Sequence, residues 1–230
     1  MYVREIEGRE VELGVSGRLW RDALVMYDRR TGSLWSQIDG RAILGPAEGQ
    51  RLEEVPSVVT SWGEWKRMHP DTLVLRPGRF APDGSQYASY NINPDTLGVL
   101  GTNNPDERLP GKQIVLGVTH EYLATAVPIS VLRSETVVQT ELGNWPVVIA
   151  IVGRDDGRAY LRRVGERQLD FDPAGQDRIR DRQTGTLWDS VTGRAVAGAL
   201  GGEQLDRIET RRSYWFIWAT FHPQTEIAAP

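Results

Sequence analysis

The sequence predicts a mainly β protein, α+β at the margin, built by internal duplication of a strand-rich unit with one short tryptophan-rich helix per copy. Three observations predict it. Short apolar or alternating runs recur between turns rich in Gly, Asn and Asp. The segment 28 to 75 returns without a gap at 181 to 228. Six of the eight tryptophans fall at matched places in those two segments.

The repeat sets the organisation. Asp28-Arg29-Arg30-Thr31-Gly32-Ser33-Leu34-Trp35 returns as Asp181-Arg182-Gln183-Thr184-Gly185-Thr186-Leu187-Trp188, an offset of 153 positions (181 minus 28). The same offset carries Gly40, Gly45 and Gly49 onto Gly193, Gly198 and Gly202, and Leu52 onto Leu205. It also carries Trp62 and Trp65 onto Trp215 and Trp218, His69-Pro70 onto His222-Pro223, and Thr72 onto Thr225. The division that follows is a shortened first unit at 1–78, a long surface connection at 79–112 and a second unit at 113–230, the two units packed about a pseudo-two-fold.

Along the chain, Leu24 to Asp28 and Ser33 to Gln37 flank Arg-x-Thr-Gly, a hairpin with Gly32 at positive φ. The glycines at 40, 45 and 49 continue a strand-and-turn pattern up to Val55. Ser61-Trp62-Gly63-Glu64 has capping-box spacing, Trp62, Trp65 and His69 fall on one helical face, and Pro70 ends the element. Its counterpart, Tyr214 to Phe221, is apolar nearly all round and predicts a helix buried on several sides, at the contact between units. Pro77 to Lys112 shows no sustained period and reads as a long loop. Strands resume at Gln113–Val118, Pro146–Val152 and Ala159–Val164.

Composition excludes several function classes. A net charge of -4 with interspersed signs gives no field that would draw in nucleic acid. The longest apolar run, Trp145 to Val152, falls far short of the roughly 20 residues that span a bilayer, and reads as a buried strand. Zero cysteines removes disulfides, thiolate ligands and thiol nucleophiles. Met1 to Glu10 carries charges where an export signal needs an apolar run, so no signal peptide is expected in the chain as given.

Gly14-Val-Ser-Gly17, Leu24-Val-Met-Tyr-Asp-Arg29, Thr31-Gly-Ser-Leu-Trp-Ser-Gln37, Trp65, His69-Pro-Asp-Thr-Leu-Val-Leu75, Arg108-Leu-Pro110 and Lys112 to Val118 together resemble the prokaryotic domain of unknown function 3179 family. The resemblance covers nearly the whole chain and implies no assigned activity. It implies two tandem units and a periplasmic or extracellular setting. The chain departs from the family pattern twice. It starts inside the first unit, as a shortened form or fragment would, and Ala150 to Gly157 stands where many relatives carry a Cys-Pro-x-Cys-like element.

Candidate site residues come from the matched polar positions. Asp28, Arg29, Asp181 and Arg182 stand at equivalent hairpin mouths, as a polar ligand cluster would, although turn chemistry alone places Asp and Thr there. His69 and His222 suit a shared metal or proton, or else a capping role at a helix C-terminus. His120 has no repeat partner, so no metal site and no cofactor is predicted. Tyr87 and Tyr90 in the long loop suit stacking on a sugar or peptide. Gly14-Val-Ser-Gly-Arg18 lacks the last glycine of a nucleophile elbow, and the neighbours Asp155 and Asp156 read as solvated charge.

The functional expectation is a non-catalytic binding or structural module for a small-molecule or protein ligand. The alternative is a hydrolase or transferase with an Asp/Arg/His cleft between the two units. The shortened first unit predicts an unpaired strand edge that a second chain would cover, giving a homo-oligomer.

Overall fold

The computed structural model describes residues 1–55, 57, 59–74, 88–99 and 101–228. They form two compact units, Met1–Ser57 with Leu97–Asn104, and Val58–Thr96 with Pro105–Pro230. Both are mainly β.

The first unit opens with a small hairpin, β1 (Glu5–Ile6) and β2 (Arg9–Glu10). A four-stranded antiparallel meander follows: β3 (Leu13–Trp20), β4 (Ala23–Asp28), β5 (Leu34–Ser36) and β6 (Ala42–Leu44). Gly32, at φ +72°, lets the β4–β5 turn close where a β-carbon would be strained. Trp35 is fully buried and packs with Ala42, Ala47 and Leu52, so one indole supplies much of this small core. Ser16 sits within β3 and donates to Val25 O at 2.6 Å, so the Gly14–Arg18 string is strand rather than a strand-to-helix elbow.

In the second unit α1 (Trp62–Met68) and α2 (Ala88–Ile92) come first. Then come β7 (Ile114–His120), β8 (Leu123–Pro128), α3 (Ile129–Glu135), β9 (Val137–Leu142), β10 (Trp145–Val152) and β11 (Asp156–Leu161). The hairpin β12 (Arg163–Val164) and β13 (Arg167–Gln168) leads into a second meander, β14 (Phe171–Pro173), β15 (Arg178–Asp181), β16 (Leu187–Asp189) and β17 (Ala195–Ala197). The chain closes with β18 (Arg207–Tyr214), α4 (Trp215–Phe221) and β19 (Glu226–Ile227).

The main sheet has seven strands in the order β19-β8-β7-β18-β11-β10-β9, antiparallel except for β19 with β8. Its central strands are covered on both faces, which is why β10 reads as a continuous apolar run. Val147 and Ile149 enter one core with Leu116, Val127 and Leu132 of α3. Val148 and Ala150, one residue out of phase, enter another with Tyr160, Phe171, Ile179 and Trp188 of the meander. The helix α4 packs on β7 and β18 of its own unit, and its burial arises there.

The two meanders agree in detail. Trp35 and Trp188 are each fully buried, and each donates its Nε1–H to the aspartate that ends the preceding strand, at 3.1 and 2.9 Å. The agreement also runs upstream of the sequence repeat, at a new offset. Tyr2 Oη donates to Gln37 O at 3.0 Å, and Tyr160 Oη to Ser190 O at 2.9 Å. Val3 N donates to Glu53 O and Leu161 N to Asp206 O, both at 2.8 Å, and Val11 N and Leu169 N donate to Arg4 O and Arg162 O. On the donor side these pairs are 158 apart (160 minus 2) rather than 153, because the hairpin Leu13↔Asp28 shrinks to Phe171↔Asp181.

Within the stretch 77–112, Ala88–Ile92 are helical and Leu97 is buried. No described helix is long and apolar enough to cross a membrane.

Candidate functional site

The matched aspartates end β4 and β15, where each accepts from the turn that follows. Asp28 takes Thr31 N and Thr31 Oγ1, both at 2.6 Å, besides the Trp35 indole. Asp181 takes Thr184 N at 2.6 Å, Thr184 Oγ1 at 2.8 Å and the Trp188 indole. The threonine hydroxyls reach on to Ser33 and Thr186, which accept from Ala47 N and Leu200 N. Burial alone would raise both carboxyls, but these donors outweigh it and hold Asp28 and Asp181 below the usual carboxylate range. With both carboxylates inside, at 2 and 0 % exposure, the cluster ties a turn to a tryptophan.

The arginines beside them point outward. Arg29 pairs with Glu12 at 2.7 Å and lies over the Tyr27 ring; Arg182 pairs with Asp172 at 2.6 Å. His69 stacks on Trp65 with centroids 4.2 Å apart, and His222 on Trp218 at 4.1 Å. Their backbones close the helix ends, His69 N on Trp65 O and His222 N on Trp218 O. His120 lies edge-on to Trp145, and no group of three metal-ligating side chains occurs among the described residues. Tyr90 is held by Lys112, whose ammonium donates to Tyr90 O and Asn93 O and lies 3.7 Å from the ring centroid. Tyr87 lies outside the described residues.

A concave site does exist in the second unit, and none of those residues lines it. A pocket of about 930 Å³ opens among the end of α3, the β10–β11 turn, the β14–β15 hairpin and the segment Val59–Ser61. Ala150, Val137 and Ile179 form an apolar floor, and Arg133, Arg154, Arg178 and Arg212 stand around it with Asp155 and Asp177. Three features mark it as unusual. Thr136, a β-branched residue, holds φ at +60° at the end of α3, a conformation such residues rarely adopt. Its Oγ1 and that of the wall residue Ser190, Oγ, are buried without a hydrogen-bond partner. Behind the wall lies Arg158, 1 % exposed, paired with Asp156 at 3.2 Å while its Nε and Nη2 have no partner.

Asp156 connects this charge to the pocket. It accepts Val59 N at 2.8 Å and Gly157 N at 2.9 Å, and Val59 lines the pocket, as does Ala150, the cross-strand partner of Arg158. The expectation that Asp155 and Asp156 are both solvated is corrected for Asp156, which is 4 % exposed. Strand alternation explains why: Asp156, Arg158 and Tyr160 share the face of β11 that is packed under the meander. A charge at that phase of a buried strand was the overlooked sign. Burial also pushes the Tyr160 phenol up, so it serves here as a neutral donor.

No curated protein and no solved structure matches the chain. The model of the family described as Protein of unknown function (DUF3179) matches residues 1–225 of the 230, and the chain therefore belongs to that family.

Proposed function

We propose that the chain is a non-catalytic binding module: an internally duplicated β body, with copies at 1–78 and 113–230 joined by a connection at 79–112, and with a small-molecule pocket walled by residues between 133 and 212 together with Val59, Thr60 and Ser61. The observation that carries the reading is the pocket's make-up. It offers an apolar floor ringed by arginines, and no His, Lys or Cys lines it among the described residues. Its two carboxylates are already engaged, Asp155 with Arg133 and Asp177 with Gly153 N. Such a lining is suited to holding a ligand rather than to attacking one.

The duplication is supported by the paired hydrogen bonds at offsets of 153 and 158 and by two tryptophans in one environment. In this reading the Asp28 and Asp181 clusters are structural. The test is turnover of ester, glycoside, phosphate and peptide substrates by the purified chain, with alanine at Asp28, Arg29, Asp181 and Arg182. No turnover is expected, with thermal unfolding lowered at the two aspartates. Turnover that disappears in these variants while thermal unfolding stays unchanged would replace the module with a hydrolase or transferase.

A further inference from the structure

We propose that the pocket of the second unit takes a small organic acid, whose carboxylate or phosphate group is held by Arg154 and Arg212 while its body lies on the floor of Val137, Ala150 and Ile179. The proposal rests on the module reading and adds the ligand's chemistry to it.

The charges decide the class. Of the four arginines lining the pocket, Arg133 is tied to Asp155 and Arg178 to Asp189. Arg154 and Arg212 have no ion-pair partner among the described residues. Two guanidinium forks at one opening suit a planar or tetrahedral oxyanion, which each can grip with two parallel hydrogen bonds. Arg158 adds no net charge behind the wall, because Asp156 pairs with it.

Size and floor argue for an organic body. About 930 Å³ lies at the upper end of small-molecule pockets and would leave a bare phosphate ion with most of its surroundings unfilled. The apolar floor gives a carbon skeleton something to lie on. A cationic ligand would meet two arginines against the one carboxylate, Asp177, that has no ion pair among the described residues, and a neutral one would leave the excess positive charge unanswered.

Isothermal titration of the full chain at low ionic strength, with gluconate, glucose 6-phosphate and glucose as probes, tests this. At least one of the two anions is expected to bind, glucose not to bind detectably, and added NaCl to weaken the binding. Gluconate alone binding marks the group as carboxylate; glucose 6-phosphate alone marks it as phosphate. The double variant Arg154→Gln/Arg212→Gln should weaken the anion by about tenfold or more, its thermal midpoint unchanged because both residues are exposed and neither makes an ion pair among the described residues. Glucose binding as tightly as the anions, or unchanged binding by the double variant, overturns the ligand class and leaves the module standing. Silence of all three probes overturns the proposal, whereas the module itself falls only to the turnover result above.

Discussion

The helices α1 and α4 are alike inside and unlike outside. In each, a tryptophan donates its indole N–H to a threonine seven residues on, Trp65 to Thr72 and Trp218 to Thr225, both at 2.9 Å. In each the histidine ring lies on that tryptophan, and the threonine N–H returns to the histidine carbonyl, at 3.1 and 3.0 Å. Yet Trp62 and Trp65 are 53 and 37 % exposed, while Trp215 and Trp218 are 0 and 1 % exposed. The motif is therefore made by its own residues, and its burial is supplied from elsewhere. For α4 the supplier is β7 with β8: Val115 and Ala126 pack on the indoles, and Gly117 lets Trp218 lie directly on the strand. Sequence anticipates part of this, since Gly63, Glu64, Lys66 and Arg67 stand in α1 where α4 has Phe216, Ile217, Ala219 and Thr220.

The largest test of the comparison is truncation of the indoles. Trp218→Ala removes a fully buried side chain and should cost about 3–5 kcal/mol by chemical denaturation, whereas Trp65→Ala should cost at most about 1.5 kcal/mol. Equal losses would mean that α1 is covered as closely as α4. The next effect is at Gly117, where an added β-carbon would stand 2.1 Å from Trp218 Cζ3, a rigid ring edge with no soft route of escape. Gly117→Val should cost about 3 kcal/mol through overpacking. Paired with Trp218→Ala, which opens the space, the same substitution should cost clearly less, and additive losses would show that ring and strand are not in contact.

The turn clusters give the opposite expectation, equality. Asp28→Ala and Asp181→Ala each strand an indole N–H, a threonine N–H and a hydroxyl, so each should cost about 2–3 kcal/mol. A large difference between them would break the equivalence of the meanders. Both carboxyls titrate below the ordinary range in the folded chain, so the unfolded chain binds the proton more readily. Their contribution is complete above the unfolded pKa of about 3.9 and is lost as pH falls through the lower folded value. The thermal midpoint should therefore fall between about pH 5 and pH 3, and Asp28→Asn with Asp181→Asn should flatten that fall.

What was legible in the sequence follows from how far each signal reaches along the chain. The β4–β5 hairpin, the run Trp145–Val152 and both tryptophan helices are local patterns, and they stand where periodicity puts them. The mainly β class and the family followed from such strings. The equivalence of Tyr2 with Tyr160 was hidden because the shorter β14–β15 hairpin shifts the register, and the side chains beyond it no longer align at 153. The pocket was hidden for another reason. Its wall is assembled from residues as far apart as Val59 and Arg212, and only the Asp156–Arg158 phase within β11 left a trace in one segment.

The smallest effect sharpens that hidden equivalence. Tyr160 is fully buried and its hydroxyl satisfies Ser190 O, so Tyr160→Phe leaves a buried carbonyl without its donor and should cost about 1–2 kcal/mol. Tyr2 serves Gln37 O and Ile38 O from a half-exposed position where water can replace it, so Tyr2→Phe should cost about 0.5 kcal/mol. Gly40 and Gly193 add a second reading of the same pair. A β-carbon on either would stand 2.6 or 2.5 Å from the Cε1 of its tyrosine, so Gly193→Ala should be the more damaging change, because Tyr160 has no room to retreat and Tyr2 does. If the two glycines tolerate alanine equally, the tyrosines do not hold equivalent places, and the first 27 residues lose their claim to be a copy of anything in the second unit.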